Sequence, residues 1–186
     1  MQNTFRISMR KGLLVAGVVL LAAIMSLGLV LQAGGRVEAA GLTSAEKSWL
    51  TTLREEEKLA RDVYLVLYEK WQKPIFSNIA ASEQRHMDAV KALLVKYGVG
   101  DPAAGKGIGE FSNPAFRDLF VRLTAQGSTS LTEALKVGVF IEETDIEDLN
   151  AALAVATRPD IKRVYGNLLQ GSYNHLDAFE ASLAKD

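Results

Sequence analysis

The stretch "NIAASEQRHMDAV", residues 78–90, decides the fold. Its apolar residues recur at helical spacing, yet Glu83 and His86 fall on the same stripe as Ile79 and Val90. An amphipathic helix buries that stripe, so a glutamate and a histidine three residues apart on it project together into an interior.

Working outward, the chain from Thr43 on reads as helices. "TSAE" offers Thr43 as an N-cap with Glu46 reaching back, and apolar periodicity runs to Trp71, where "QKP" stops it. The spacing predicts a first long helix over about 44–72 and a second from near Ser77 to Tyr97, with Gly98 placed for a left-handed cap. "VGDPAAGKGIGEFSNP" must be a connection, followed by a short helix from Pro114 to about Gln126 that Gly127 ends. A third long helix runs from about Ser130 to Thr157. "RPD" breaks it, and a fourth runs from about Asp160 to the end. No alternating run of strand length is present, so the expected class is all-α. The two short connections require antiparallel neighbours, and some thirty residues cross between the hairpins, a topology shared with ferritin-like four-helix bundles.

Stepping by threes and fours gives the buried seams. The first helix offers Leu50, Leu53, Glu57, Ala60, Tyr64, Leu67 and Trp71, and the second Phe76, Ile79, Glu83, His86, Val90, Leu93 and Tyr97. The third offers Leu131, Leu135, Gly138, Glu142, Asp145, Leu149 and Ala152. The fourth offers Ile161, Tyr165, Leu168, Ser172, His175, Phe179 and Ser182. Every seam turns polar near its middle, and the only two histidines of the chain both lie on seams. Buried unpaired carboxylates cost several kcal/mol each and call for a cation. Two divalent metals neutralise Glu57, Glu83, Glu142 and Asp145, with His86 and His175 as nitrogen donors.

Each signal is weaker alone. "REEEK" puts a glutamate on any face, and Glu55 and Glu56 are expected to face solvent. "IEETDIED" is acidic enough to be one solvated face, and a lone histidine is commonly a hydrogen-bonded core residue. Agreement of four helices in phase and depth favours the dimetal reading. Tyr64, Tyr97 and Tyr165 line the seams as packing residues with hydrogen-bonded hydroxyls.

Composition bounds the rest. The chain has 186 residues, 48% hydrophobic and 23% charged, enough for one domain with a substantial core, over about 43–184. The formal charge of −1 and the lack of a basic block argue against nucleic acid as a partner. The absence of cysteine excludes thiol catalysis, disulfides and cysteine-ligated clusters, so any metal is held by oxygen and imidazole. Arg6, Arg10 and Lys11 precede an uncharged apolar run that spans residues 12–34. Residues 1–40 are therefore an expected export signal, cleaved after Ala39 or retained as a membrane anchor, and the folded part is expected outside the cytoplasm.

The blocks "EEEKLARDVY", "FSNIAASEQRHMDAV", "ALKVGVFIEETDIEDL" and "VYGNLLQGSYNHLDAF" resemble the ferritin-like di-iron superfamily, and more closely the family known as domain of unknown function 2202. Glu57, Ala60, Arg61 and Tyr64 are similar to the rubrerythrin pattern around a ligand glutamate. The resemblance implies Glu83 and His86 as the Glu-x-x-His of the second helix, and Glu142 with Asp145 as the carboxylates of the third. It also implies a glutamate where "SYNH" has Ser172. The expected function is an exported protein with a dinuclear centre of iron, or alternatively manganese, that reacts with oxygen or peroxide and takes electrons from an outside reductant. The alternatives are extracytoplasmic metal capture without turnover and a purely structural bundle.

Overall fold

The computed structural model describes residues 41–185, which form five α-helices and no strand. The expected export segment, residues 1–40, lies outside the described residues. No helix among the described residues is long and apolar enough to cross a membrane.

Helix α1 (Ser44–Trp71) starts on the expected capping box: Thr43 Oγ1 accepts from the Glu46 amide at 3.1 Å, and Glu46 Oε2 accepts from the Thr43 amide at 3.0 Å. Helix α2 (Pro74–Lys96) begins three residues before the expected Ser77. Pro74 occupies the first turn, where a missing N–H costs nothing, so it opens the second helix as well as closing the first. Gly98 takes the left-handed conformation, φ 64°, as its position predicts. Helix α3 (Pro114–Gly127) is capped by the Asn113 side chain, and helix α4 (Leu131–Val155) by Ser130. Helix α4 stops two residues before Thr157, and helix α5 (Pro159–Leu183) again starts on a proline.

Two residues join α1 to α2 and three join α4 to α5, so each pair folds back on itself. Helix α1 also packs on α4, α2 on α5, and α3 against α1 and α4.

The core has two apolar clusters. One gathers Tyr64, Leu67, Phe76, Leu135, Ile141 and Phe179, and the other Leu50, Leu53, Val90, Leu149, Tyr165 and Leu168. Burial of each such side chain contributes about 1.5–3 kcal/mol. Helices α2 and α4 meet the first cluster and then the second, whereas α1 and α5 meet them in the opposite order. The polar seam residues of all four fall between the clusters, at one level.

The crossover is tied to the opposite side of α1. Arg54 forms a bidentate pair with Asp101, at 2.9 and 3.1 Å. Glu55 accepts from the Ser112 amide at 2.5 Å and from the Asn113 amide at 3.2 Å. The ammonium of Lys58, fully buried, is paired with Asp62 and donates to the Gly107 carbonyl at 2.6 Å, and Asp62 accepts from the Gly109 amide at 3.0 Å. The expectation that Glu55 and Glu56 face solvent is therefore corrected. Glu55 is buried as a receptor for loop amides, and Glu56 has a buried Oε2.

Candidate metal centre

Five of the six predicted ligands come together in two triads that share one residue. Glu57, Glu83 and His86 have ligand atoms within 4.8 Å of one another, as do Glu83, Glu142 and His175. The helix seams explain why: Glu83 and His86 are one turn apart on α2, and Glu57, Glu142 and His175 occupy the same level on α1, α4 and α5.

Glu83 divides its two oxygens between the histidines. Its Oε2 lies 2.8 Å from His86 Nδ1, and its Oε1 lies 2.8 Å from His175 Nδ1. His86 Nδ1 is also 3.1 Å from Glu57 Oε2, and His175 Nδ1 is 3.5 Å from Glu142 Oε2. On the far side of Glu142, the Tyr64 hydroxyl donates to Oε1 at 2.7 Å. That bond fixes the carboxylate and leaves its other oxygen toward His175. The ring of His86 lies on the backbone of Gly171 in α5, where an added Cβ would stand 2.6 Å from its Cε1 and Nε2. Only glycine leaves room for that ring.

Asp145 belongs to neither triad. Its Oδ2 accepts a hydrogen bond from the Ser172 hydroxyl, and its Oδ1 is buried with no hydrogen-bond partner among the described residues.

The electrostatics are those of crowded anions out of water. Burial first, then the charges of Asp145 and Glu83, push the Glu57 carboxyl well above its usual range. Burial and the Glu142 charge do the same to Asp145. Glu142 rises to about 7 through burial, partly opposed by His175. Burial would also raise Glu83, but the imidazoles of His175 and His86 outweigh it and hold the carboxyl at about 2. Burial would lower His175, but Glu142 and Glu83 carry it up to about 10. Burial and like charge thus push three carboxyls up, while pairing with the imidazoles pushes Glu83 down.

This donor set fits hard divalent cations. Glu57 Oε1, Glu83 Oε1 and His175 Nδ1 are buried atoms without hydrogen-bond partners among the described residues. His175 Nδ1 and Glu83 Oε1 lie 2.8 Å apart. Carboxylate oxygens with one imidazole nitrogen per position suit iron or manganese better than a soft metal.

A family described as an uncharacterized protein domain, DUF2202, matches residues 46–186, a span that includes every residue of both triads. The chain belongs to the DUF2202 family. This DUF2202 chain is 54% identical over 138 residues to the uncharacterized protein MJ0754 of Methanocaldococcus jannaschii, covering 74% of this chain and 75% of that one. The crystal structure of MJ0754 superposes with a TM-score of 0.77 at 50% identity, over 81% of this chain and 86% of the other. A DUF305 fragment from Deinococcus radiodurans shares the fold at 15% identity, with a TM-score of 0.59 over 79% of this chain and all of that fragment.

Proposed function

We propose that this DUF2202 protein is a ferritin-like four-helix bundle that binds a dinuclear metal centre, iron in the first place and manganese as the alternative. The observation that carries the reading is the division of Glu83 between two histidine-containing triads, one oxygen to each. A carboxylate so placed would be a ligand common to both cations. Glu57 and His86 would complete the shell of one metal, and Glu142 and His175 that of the other.

The order in which the helices meet the two core clusters supports the ferritin-like topology: α1 and α5 run one way, α2 and α4 the other, and the long crossover joins α2 to α4. When bound, a metal pair of this kind would supply electrons to oxygen or peroxide, which makes an oxidase or peroxidase activity the leading assignment. The protein side of that chemistry is read from the chain. The two apolar clusters limit water at the site, Tyr64 orients Glu142, and Gly171 leaves the His86 ring its place. With no cysteine in the chain, electrons must come from a separate reductant. The charge and apolar pattern of residues 1–40 supports an extracytoplasmic location, exported or anchored.

The test is anaerobic loading with Fe(II) followed by addition of oxygen or peroxide. Oxidant consumption that requires Glu83 supports the assignment. Binding of two metals without oxidant consumption would reassign the protein to metal capture.

A further inference from the structure

One guanidinium ties the first hairpin together beside the site. Arg61 lies one helical turn beyond Glu57 on α1, and Gln84 directly follows Glu83 on α2. Arg61 Nη1 donates to Gln84 Oε1 at 2.5 Å, while its Nε and Nη2 donate to Asp62 Oδ1 at 2.9 and 2.6 Å. The far end of the Gln84 amide is held as well, because its Nε2 donates to Asp88 Oδ1 at 2.9 Å. The planar fork thus reaches a partner on each helix at once, a geometry that an ammonium does not copy.

Asp62 is fixed from its other side by the crossover. It is fully buried, pairs with the buried Lys58 and accepts from the Gly109 amide at 3.0 Å. Lys58 in turn donates to the Gly107 carbonyl at 2.6 Å and stands 4.6 Å from the centre of the Phe111 ring. The crossover holds Asp62, Asp62 holds the guanidinium, and the guanidinium holds α2. The second hairpin is tied differently. Four residues after Glu142 it has Ile146 where the first has Arg61, two residues before His175 it has Tyr173 where the first has Gln84, and Ser172 bonds to Asp145 between its helices.

Resting on the dinuclear reading above, we infer that Arg61 and Gln84 are positioning residues for one of the two metals, the one held by Glu57 and His86. Their bond sets the spacing of α1 and α2 at the level of the site, and this metal takes its two unshared ligands from those two helices. Glu142 and His175 come from the other hairpin, which has its own tie.

The test is an anaerobic titration of the full chain with Co(II), followed by visible absorption. His86→Ala and His175→Ala each remove one metal and so assign the two binding steps. Gln84→Ala and Arg61→Met should each weaken the Glu57–His86 step about tenfold, the lower end of what groups outside the ligand shell contribute, and leave the other step within about twofold. The double variant should lose no more than Arg61→Met alone, because both single changes break the same bond. Gln84→Glu keeps an acceptor for the guanidinium and should bind as the natural protein does, whereas Arg61→Lys keeps the charge without the fork and should behave as Arg61→Met. Gln84→Ala leaves the Asp62 network intact, so it decides the question even where Arg61→Met fails to fold, and circular dichroism of the metal-free variants checks folding. Natural binding by Gln84→Ala, equal weakening of both steps, or a Gln84→Glu variant no better than Gln84→Ala overturns this inference and leaves the dinuclear centre standing. Failure of the natural protein to bind Co(II) or Fe(II) overturns the dinuclear reading and this inference with it.

Discussion

His86 and His175, the only histidines of the chain, stack with ring centroids 5.6 Å apart and an angle of 27° between planes. They reach this position from different hairpins, with Glu83 between their Nδ1 atoms. Under the proposed dinuclear reading, a metal-free protein would bear the cost of that convergence and a loaded one would not. Removal of metal by a chelator should therefore lower the stability of the natural protein. Saturating metal at a hundredfold excess over Kd raises it by about 2.7 kcal/mol per independent site. Thermal melts with chelator and with Fe(II) or Mn(II) measure the difference, and equal melts would count against a metal-linked fold.

Gly171 and Gly166 make a matched pair on α5. A Cβ at Gly171 meets His86 at 2.6 Å, whereas one at Gly166 meets nothing within 4 Å. Gly166→Ala should stabilise the helix by roughly 0.5–1 kcal/mol. Gly171→Ala should forfeit that gain through overpacking that costs about 1–3 kcal/mol, and should also weaken metal binding by displacing the His86 ring. Urea denaturation of both variants, with metal titration of the second, checks the contrast.

Lys58 and Asp62 form a buried pair beneath the crossover. Lys58→Met leaves the Gly107 carbonyl without its donor and Asp62 with Arg61, 2.6 Å away, as its remaining cation. Loss of one member of such a pair costs about 3–5 kcal/mol. Denaturation should show a loss of that order, and proteolysis should cut first between residues 98 and 113, where the loop loses its anchor.

Glu46 links the start of α1 to the start of α5. Burial would raise its carboxyl, but hydrogen bonds from the Thr157 and Thr43 amides, with further help from the Thr157 hydroxyl and the Arg158 amide, hold it at about 2. A carboxyl depressed in the folded state stabilises it above the unfolded value of 4.5, and that contribution is lost as pH falls from 4.5 through about 2. Glu46→Gln should be less stable at pH 7 and should lose less of its stability over that acid range. Urea midpoints at pH 7, 4 and 3 give the comparison.

Much of this site is legible in the sequence, because a seam is a local pattern. Glu83 with His86 is a spacing, Glu57 emerges from three consecutive glutamates by phase alone, and the six buried residues of α5 are the predicted ones from Ile161 to Phe179. What was not legible depends on distant contacts. Glu55 reads as solvated and Arg54, Lys58 and Asp62 lie off the predicted seam, yet the crossover covers all four through partners 47 to 58 residues away in the chain, which no periodicity encodes. The role of Gly171 likewise depends on His86 crossing from α2. Pro74 and Pro159 read as stops, but each also has the geometry of a first helical turn.

The central claim is tested most directly by elemental analysis of the purified protein, compared with the double variant Glu83→Ala, His86→Ala. Two atoms of iron or manganese per chain, lost in the variant, is the predicted result. No bound metal in the natural protein after aerobic and anaerobic loading would contradict the dinuclear centre.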